Sequence, residues 1–240
     1  MHPFASCSWV AGWAGDEPLR RRARDECCDP VVDPRVARRF DREWAGWEDE
    51  EGFPGITDVS AGLLDRMRDA PLVRPRVLEI GSGTGGVGVA LLEMGARAVR
   101  GVDLSPASIE MARRRAASAG FEAEADFEVA DGRSIGGETC DWLVLDRVLC
   151  CDGRANALLD AAIEAARRRI ALSVPESRGW RGLLNRPLWA VENLWDLATG
   201  GCRGYVHDVR GFERRLHDAG FGTGSVGHVG LWHVGVYDRD

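Results

Sequence analysis

A chain of 240 residues with 45% hydrophobic content is long enough to bury one sizeable core. Its net charge of −7 and pI near 5.4 argue against a general binder of nucleic acid or of an anionic membrane surface, because neither phosphates nor acidic lipids attract an acidic protein. All 31 basic residues are arginine, which excludes Schiff-base chemistry and any phosphate-loop lysine.

Residues 1–30 mix Gly, Pro, Trp and the basic cluster Arg20 to Arg24 without a sustained period, and are expected to form a flexible arm. The segment 31–70 carries two cap helices. Asp33 and Pro34 make an N-cap and first-turn pair, and Val36, Phe40, Trp44 and Trp47 share one helical face. Those aromatics either pack on the core or, through Phe40 and Trp44, close over a ligand. The second helix runs around Asp58 to Arg68, with Val59, Leu63, Leu64 and Met67 inward.

From residue 71 to the end the chain reads as one ligand-binding domain. Val77, Leu78 and Ile80 make a short buried strand, and Gly81, Gly83, Gly85 and Gly86 then let the backbone turn and approach a ligand with no Cβ in the way. Val87, Ala90, Leu91 and Met94 follow at helical spacing up to Gly95, so the loop opens onto a helix N-terminus. Ala98 to Val102 is the next strand. Asp103 at its tip stands 18 residues beyond Gly85, where a carboxylate accepts hydrogen bonds from ribose hydroxyls. An adenosine-containing ligand is implied.

Ser105 caps a helix that begins with Pro106 and buries Ile109, Ala112, Ala116 and Ala119. Ala125, Phe127 and Val129 alternate as a third strand, and Asp131 follows it into the crevice at the carboxyl ends of the strands; an ordinary Asp-Gly turn is the alternative. Asp141 to Leu145 is the fourth strand, and its tip presents Asp146, Arg147, Cys150 and Cys151. A helix burying Ala155, Leu158, Leu159 and Ala162 leads to the fifth strand, Arg169 to Val174.

Residues 175–206 then interrupt the alternation. This stretch is longer than an ordinary connection and holds Trp180, Trp189 and Trp195, with Leu184, Leu188, Val191, Trp195 and Ala198 at helical spacing. It is expected to be a helical lid across the carboxyl edge of the sheet, or else a surface that packs the insertion down or meets a second copy in a homodimer. A helix from Asp208 to Ala219 precedes two strands, Gly222 to Val229 and Leu231 to Tyr237, joined so tightly at Gly230 that they must be antiparallel.

Seven cysteines, with Cys27-Cys28 and Cys150-Cys151 adjacent, do not have the spacing of zinc sites and read as free thiols of a reducing compartment. With no histidine cluster visible either, no metal is expected. The N-terminus lacks a basic n-region and no apolar run reaches about 18 residues, so the expected location is cytoplasmic, with no membrane partner.

An α/β chain whose strands end in an antiparallel hairpin resembles the class I S-adenosylmethionine-dependent methyltransferases, a Rossmann-like fold with a mostly parallel seven-stranded sheet. The matching residues are Glu79, Gly81, Gly83 and Gly85 of the loop, Asp103, Asp131, and the segment Asp146 to Cys151. The resemblance implies S-adenosylmethionine as cofactor and S-adenosylhomocysteine as product. It implies a cofactor site of Glu79, Gly81, Ser82, Gly83, Gly85, Asp103, Leu104, Asp131, Gly132, Asp146 and Arg147. The carboxylate of Glu79 suits a sulfonium ligand and disfavours the pyrophosphate of a dinucleotide. A narrower similarity, to magnesium-protoporphyrin O-methyltransferases and their bacterial relatives, rests on Arg169 to Pro175, Tyr205 to His207 and the Phe40, Trp44 stripe.

Methyl transfer from a sulfonium is an in-line displacement, so the protein must mainly hold the acceptor and exclude water. The expected partner is a small aromatic or hydrophobic molecule, methylated on oxygen. A carboxylate acceptor needs no base and would be held by Arg147 or Arg178, whereas a phenol or amine would profit from one, for which His207 is the candidate. The acceptor site is read as Phe40, Trp44, Cys150, Arg178, Trp180, Trp189 and Trp195. Two alternatives stay open: a fold-mate that binds the same cofactor for another reaction or for regulation, and a nicotinamide-dependent oxidoreductase using Gly81, Gly83 and Gly86.

Overall fold

The computed structural model of the protein describes Arg38, Asp41 and residues 56–68, 74–135, 137–199 and 203–239. The expected arm over 1–30, and Phe40 and Trp44 of the first cap helix, lie outside the described residues.

Seven strands form one sheet: β1 (Arg76–Ile80), β2 (Ala98–Asp103), β3 (Ala125–Val129), β4 (Cys140–Asp146), β5 (Ala166–Pro175), β6 (Gly222–Val229) and β7 (Trp232–Asp238), in the order β3-β2-β1-β4-β5-β7-β6. Strands β1 to β5 run parallel, and β7 pairs antiparallel with both β5 and β6. The described helices are α1 (Asp58–Arg68), α2 (Gly86–Glu93), α3 (Pro106–Ser118), α4 (Ala155–Ala165), α5 (Gly179–Thr199) and α6 (Val209–Asp218), with a 3-10 turn over Leu149–Cys151. This is the Rossmann-like architecture that the strand pattern predicts.

Two apolar layers hold the sheet, and the period of two assigns residues between them. Leu78, Leu143, Leu145 and Leu172 face one layer with α4 and α6, whereas Val77, Val144, Val234 and Val236 face the other with α1 and α2. Each fully buried Leu of this kind contributes about 2 to 3 kcal/mol from area removed from water. Of the stripe read inward on α1, Leu63, Leu64 and Met67 are buried, and Ser60 takes the place expected for Val59. Helix α3 starts as its sequence dictates, with the Ser105 side chain accepting from Ser108 N and Pro106 in the first turn.

The placement of β7 decides what reaches the site. Because β7 runs antiparallel to β5, its first residue, Trp232, lies opposite Pro175 at the carboxyl edge of the parallel strands. The run from His233 to Tyr237 is buried, as an interior strand must be, while β6 alternates exposed and half-buried residues at the edge. Among the described residues no helix is long and apolar enough to cross a membrane.

Candidate functional site

The turn after β1 has a left-handed backbone at Gly81, Gly83 and Gly85, with φ of 72°, 50° and 75°. An L side chain would be strained at each. Nothing lies within 4 Å of where a Cβ of Gly83 would stand, so the loop leaves open space there. The turn is tied to the next strand: Gly83 N donates to Asp103 Oδ2 at 2.9 Å, and Ser105 N to Asp103 Oδ1 at 2.9 Å. Asp41 lies beside them, accepting from Ser105 Oγ at 2.6 Å and from Ala107 N at 3.3 Å, at the positive end of α3. Phe40 and Trp44, its neighbours in sequence, are outside the described residues.

Carboxyl groups crowd this crevice. Burial, and then the charges of Asp146 and Asp103, push Glu79 well above the ordinary carboxylate range, and its Oε2 has no hydrogen-bond partner among the described residues. Burial also raises Asp103, against the backbone N–H groups of Ser105, Gly83 and Leu104. Asp146 accepts from Ser60 Oγ at 2.6 Å and Ser173 Oγ at 2.5 Å, so α1 and β5 both brace the tip of β4. The buried hydroxyl of Ser82 is likewise without a partner among the described residues. Three acids, two orphaned polar atoms and an open glycine turn form a receptacle for a ligand that is cationic and rich in donors, and they would repel a pyrophosphate.

Asp131 follows β3 at the same edge, where Arg133 grips it through Nε at 3.0 Å and Nη2 at 2.7 Å. Gly132 is required next to it, since a Cβ there would come within 2.2 Å of Ile80. Arg147, just past β4, is exposed, has φ of 55°, and sets its guanidinium 5.5 Å from the centroid of the Trp232 ring. Trp232 in turn meets Trp189 edge-on, with centroids 6.3 Å apart. Cys150 is buried and Cys151 half-buried, with their sulfurs 3.9 Å apart; their mutual hydrogen bond, then burial, keep Cys150 a thiol, well above the ordinary range.

Several expected acceptor residues sit elsewhere. Arg178 is occupied, with Nε 2.9 Å from Glu176 and Nη1 2.7 Å from Glu213. Trp180 and Trp195 face outward, at 58% and 71% exposure, and of the three tryptophans on α5 it is Trp189 that turns to the sheet edge. His207 stacks on Tyr205, and its Nε2 lies 3.0 Å from the Asp152 carbonyl, which makes that nitrogen the protonated donor. Burial lowers its pKa. It borders a groove between α4 and α6, with Asn156 and Phe212, rather than the glycine turn. Of the two arginines named for a carboxylate, Arg147 is thus the one not engaged by an acid among the described residues, and Trp232, which the sequence reading missed, is its neighbour.

The expectation of no histidine cluster is overturned. Glu176, His228 and His233 bring one donor atom each within 4.8 Å of one another, because β5, β6 and β7 end side by side. The cation in their midst is Arg178, whose Nη2 lies 3.0 Å from Glu176 and 3.2 Å from His233 Nδ1.

Residues 77–173 match a protein family described as a methyltransferase domain. Trans-aconitate 2-methyltransferase of Streptomyces coelicolor is 38% identical over an alignment of 187 positions that covers 64% of this chain and 61% of that protein. Two ubiquinone biosynthesis O-methyltransferases are also similar. That of Nitrosococcus oceani is 34% identical over 93 residues, covering 38% of this chain and 39% of that one. That of Methylocella silvestris is 29% identical over an alignment of 243 positions, gaps included, that covers 81% of this chain and 94% of that one. The chain thus spans between about two fifths and nearly all of the length of these relatives. Among solved structures, magnesium protoporphyrin IX methyltransferase from Synechocystis PCC 6803 with bound S-adenosylmethionine superposes with a TM-score of 0.64 at 18% identity, over 88% of this chain and 100% of that one.

Proposed function

We propose that this chain is a class I S-adenosylmethionine-dependent methyltransferase that moves the methyl group of that cofactor to a carboxylate oxygen of a small, flat, apolar molecule. The observation that carries the acceptor class is the Arg147 guanidinium set against Trp232 at the carboxyl edge of the sheet, with no carboxylate among the described residues paired to it.

The crevice fits the cofactor. Asp103 has carboxylate lone pairs beyond those used by Gly83 and Ser105 for ribose hydroxyls, the glycine turn leaves room, and the acids Glu79, Asp103 and Asp146 favour a sulfonium and an ammonium. Asp131, at the same edge, would accept from the adenine amino group, as the family resemblance implies. When bound, the cofactor supplies an electrophilic methyl on a sulfonium with a neutral thioether as leaving group. The protein's work is then positional. Arg147 orients the acceptor carboxylate, and Trp232 and Trp189 cover its flat body. A carboxylate attacks as it stands, so no residue need take a proton and His207 keeps its bond to Asp152.

Calorimetric titration with S-adenosylhomocysteine and with NAD(H) tests the cofactor, and release of S-adenosylhomocysteine with aromatic carboxylic acids tests the acceptor. Arg147→Gln should raise KM for such acids at least tenfold and leave S-adenosylhomocysteine affinity within about twofold, because one charge-assisted contact is worth roughly 1.5 to 3 kcal/mol. Tight NAD(H) binding would overturn the cofactor reading. An unchanged KM would overturn the acceptor reading.

A further inference from the structure

Among the described residues, helix α5 is anchored along one face and, on its flank, by Arg181, whose Nε donates to the Gly230 carbonyl at 3.0 Å and leaves its terminal nitrogens for other partners. Asn185 donates from Nδ2 to the carbonyls of Glu176 and Leu231, Asn193 bonds both ways with Gly204, and Trp189 packs on Trp232. The opposite face is apolar along its whole length. Trp180, Leu183, Leu188, Val191, Leu194 and Trp195 share that face of the helix, with exposures between 54% and 73%. With Leu184 they present on the order of 900 Å² of apolar surface, well beyond the largest patch of an ordinary monomer and close to the share one partner contributes to a standard interface.

We propose that this face is a homodimer interface, in which α5 of one copy packs antiparallel on α5 of a second. The sequence of the helix is self-complementary in that direction. Pairing about a twofold axis between Pro187 and Leu188 sets Trp180 against the partner's Trp195, Leu184 against the partner's Val191, and Pro187 against the partner's Leu188. Charge agrees with the same register. Arg181 and Glu192 are eleven residues apart, just over three turns, and so lie on one flank. In an antiparallel pair each flank meets its own counterpart, so Arg181 comes within reach of the partner's Glu192 twice by symmetry. The acidic chain and the balanced charges of α5 favour a second copy over an anionic lipid surface as the occupant.

Because α5 continues directly from β5 through Glu176 to Arg178, a dimer made here would fix the helix that carries Trp189 beside the acceptor end. Sedimentation equilibrium of the full chain from about 1 to 100 μM tests the proposal, with a micromolar or tighter dimer expected. Leu188→Glu should give a monomer whose melting temperature, extrapolated to low concentration, and S-adenosylhomocysteine affinity match the parent. Arg181→Glu and Glu192→Arg should each weaken the dimer about tenfold, and the two together should restore it. A parent chain monomeric at 100 μM would overturn the proposal, whether or not it bound phosphatidylglycerol vesicles. So would a dimer that survives Leu188→Glu, or a double reversal that fails to restore association.

Discussion

Two clusters of charged side chains sit at the same edge of the sheet and differ in how they are balanced. At the ends of β5, β6 and β7, Glu176 is clasped by Arg178 and His228, and His233 lies between Arg178 and Tyr237, so the buried polar atoms have partners. At the ends of β1, β2 and β4, the carboxyls of Glu79, Asp103 and Asp146 crowd together, and Glu79 Oε2 and Ser82 Oγ have no partner among the described residues. A buried ionic cluster that is internally complete specifies structure, whereas one left with excess negative charge is completed by a ligand. The pairing state, rather than the residue types, separates scaffold from site.

The largest effect should come from breaking the complete cluster. Arg178→Ala strands Glu176, which is 1% exposed, and should lower unfolding free energy by about 3 kcal/mol in urea titration. A loss below about 1 kcal/mol would show that solvent or a rearranged side chain replaces the guanidinium.

The same cluster should make stability fall as pH is lowered. The unfolded chain protonates a histidine near pH 6.5, while burial holds folded His233 down to about 4. Its contribution is therefore full above about pH 6.5 and is lost as pH falls through about 4, on the order of 2 to 3 kcal/mol. For Glu176, burial acts upward, but the hydrogen bonds from Arg178 and His228 outweigh it and hold the group at about 2, so its contribution is lost between about pH 4.3 and 2. His233→Gln should flatten the melting-temperature curve between pH 6.5 and 4; an unaltered slope would assign the dependence to other groups.

In the incomplete cluster the expected effect is on binding instead. Asp103→Ala should weaken S-adenosylhomocysteine at least tenfold, about 1.4 kcal/mol or more, and should cost the unliganded protein less stability than Arg178→Ala does, because relief of one crowded carboxylate offsets the loss of the acceptor for Gly83 N and Ser105 N. A fall in stability with unchanged affinity would exchange the roles of the two clusters. Smallest of all should be the response to EDTA, which should not move the melting temperature, since Arg178 already serves as the cation among Glu176, His228 and His233. A shift reversed by a single divalent ion would make that cluster a metal centre.

Much of this could be read from the chain, because the information was local. The turn glycines, Asp103 at its spacing from Gly85, the Ser105 cap and the apolar strands follow from backbone sterics and periodicity, and the element boundaries agree to within a few residues. What the chain alone determined is thus the α/β alternation, the crevice at the glycine turn and, from the spacing of Asp103, an adenosine-containing ligand. The lid stripe was legible as a helix but not in its orientation, since Leu188, Val191 and Trp195 would show the same spacing facing inward or outward. Only the tertiary structure decided that β7 slips between β5 and β6, and this one long-range pairing brings Trp232 to Arg147 and His233 and His228 to Glu176. Residues 52 to 85 positions apart become neighbours there through strand register, which a linear reading of local propensity does not contain.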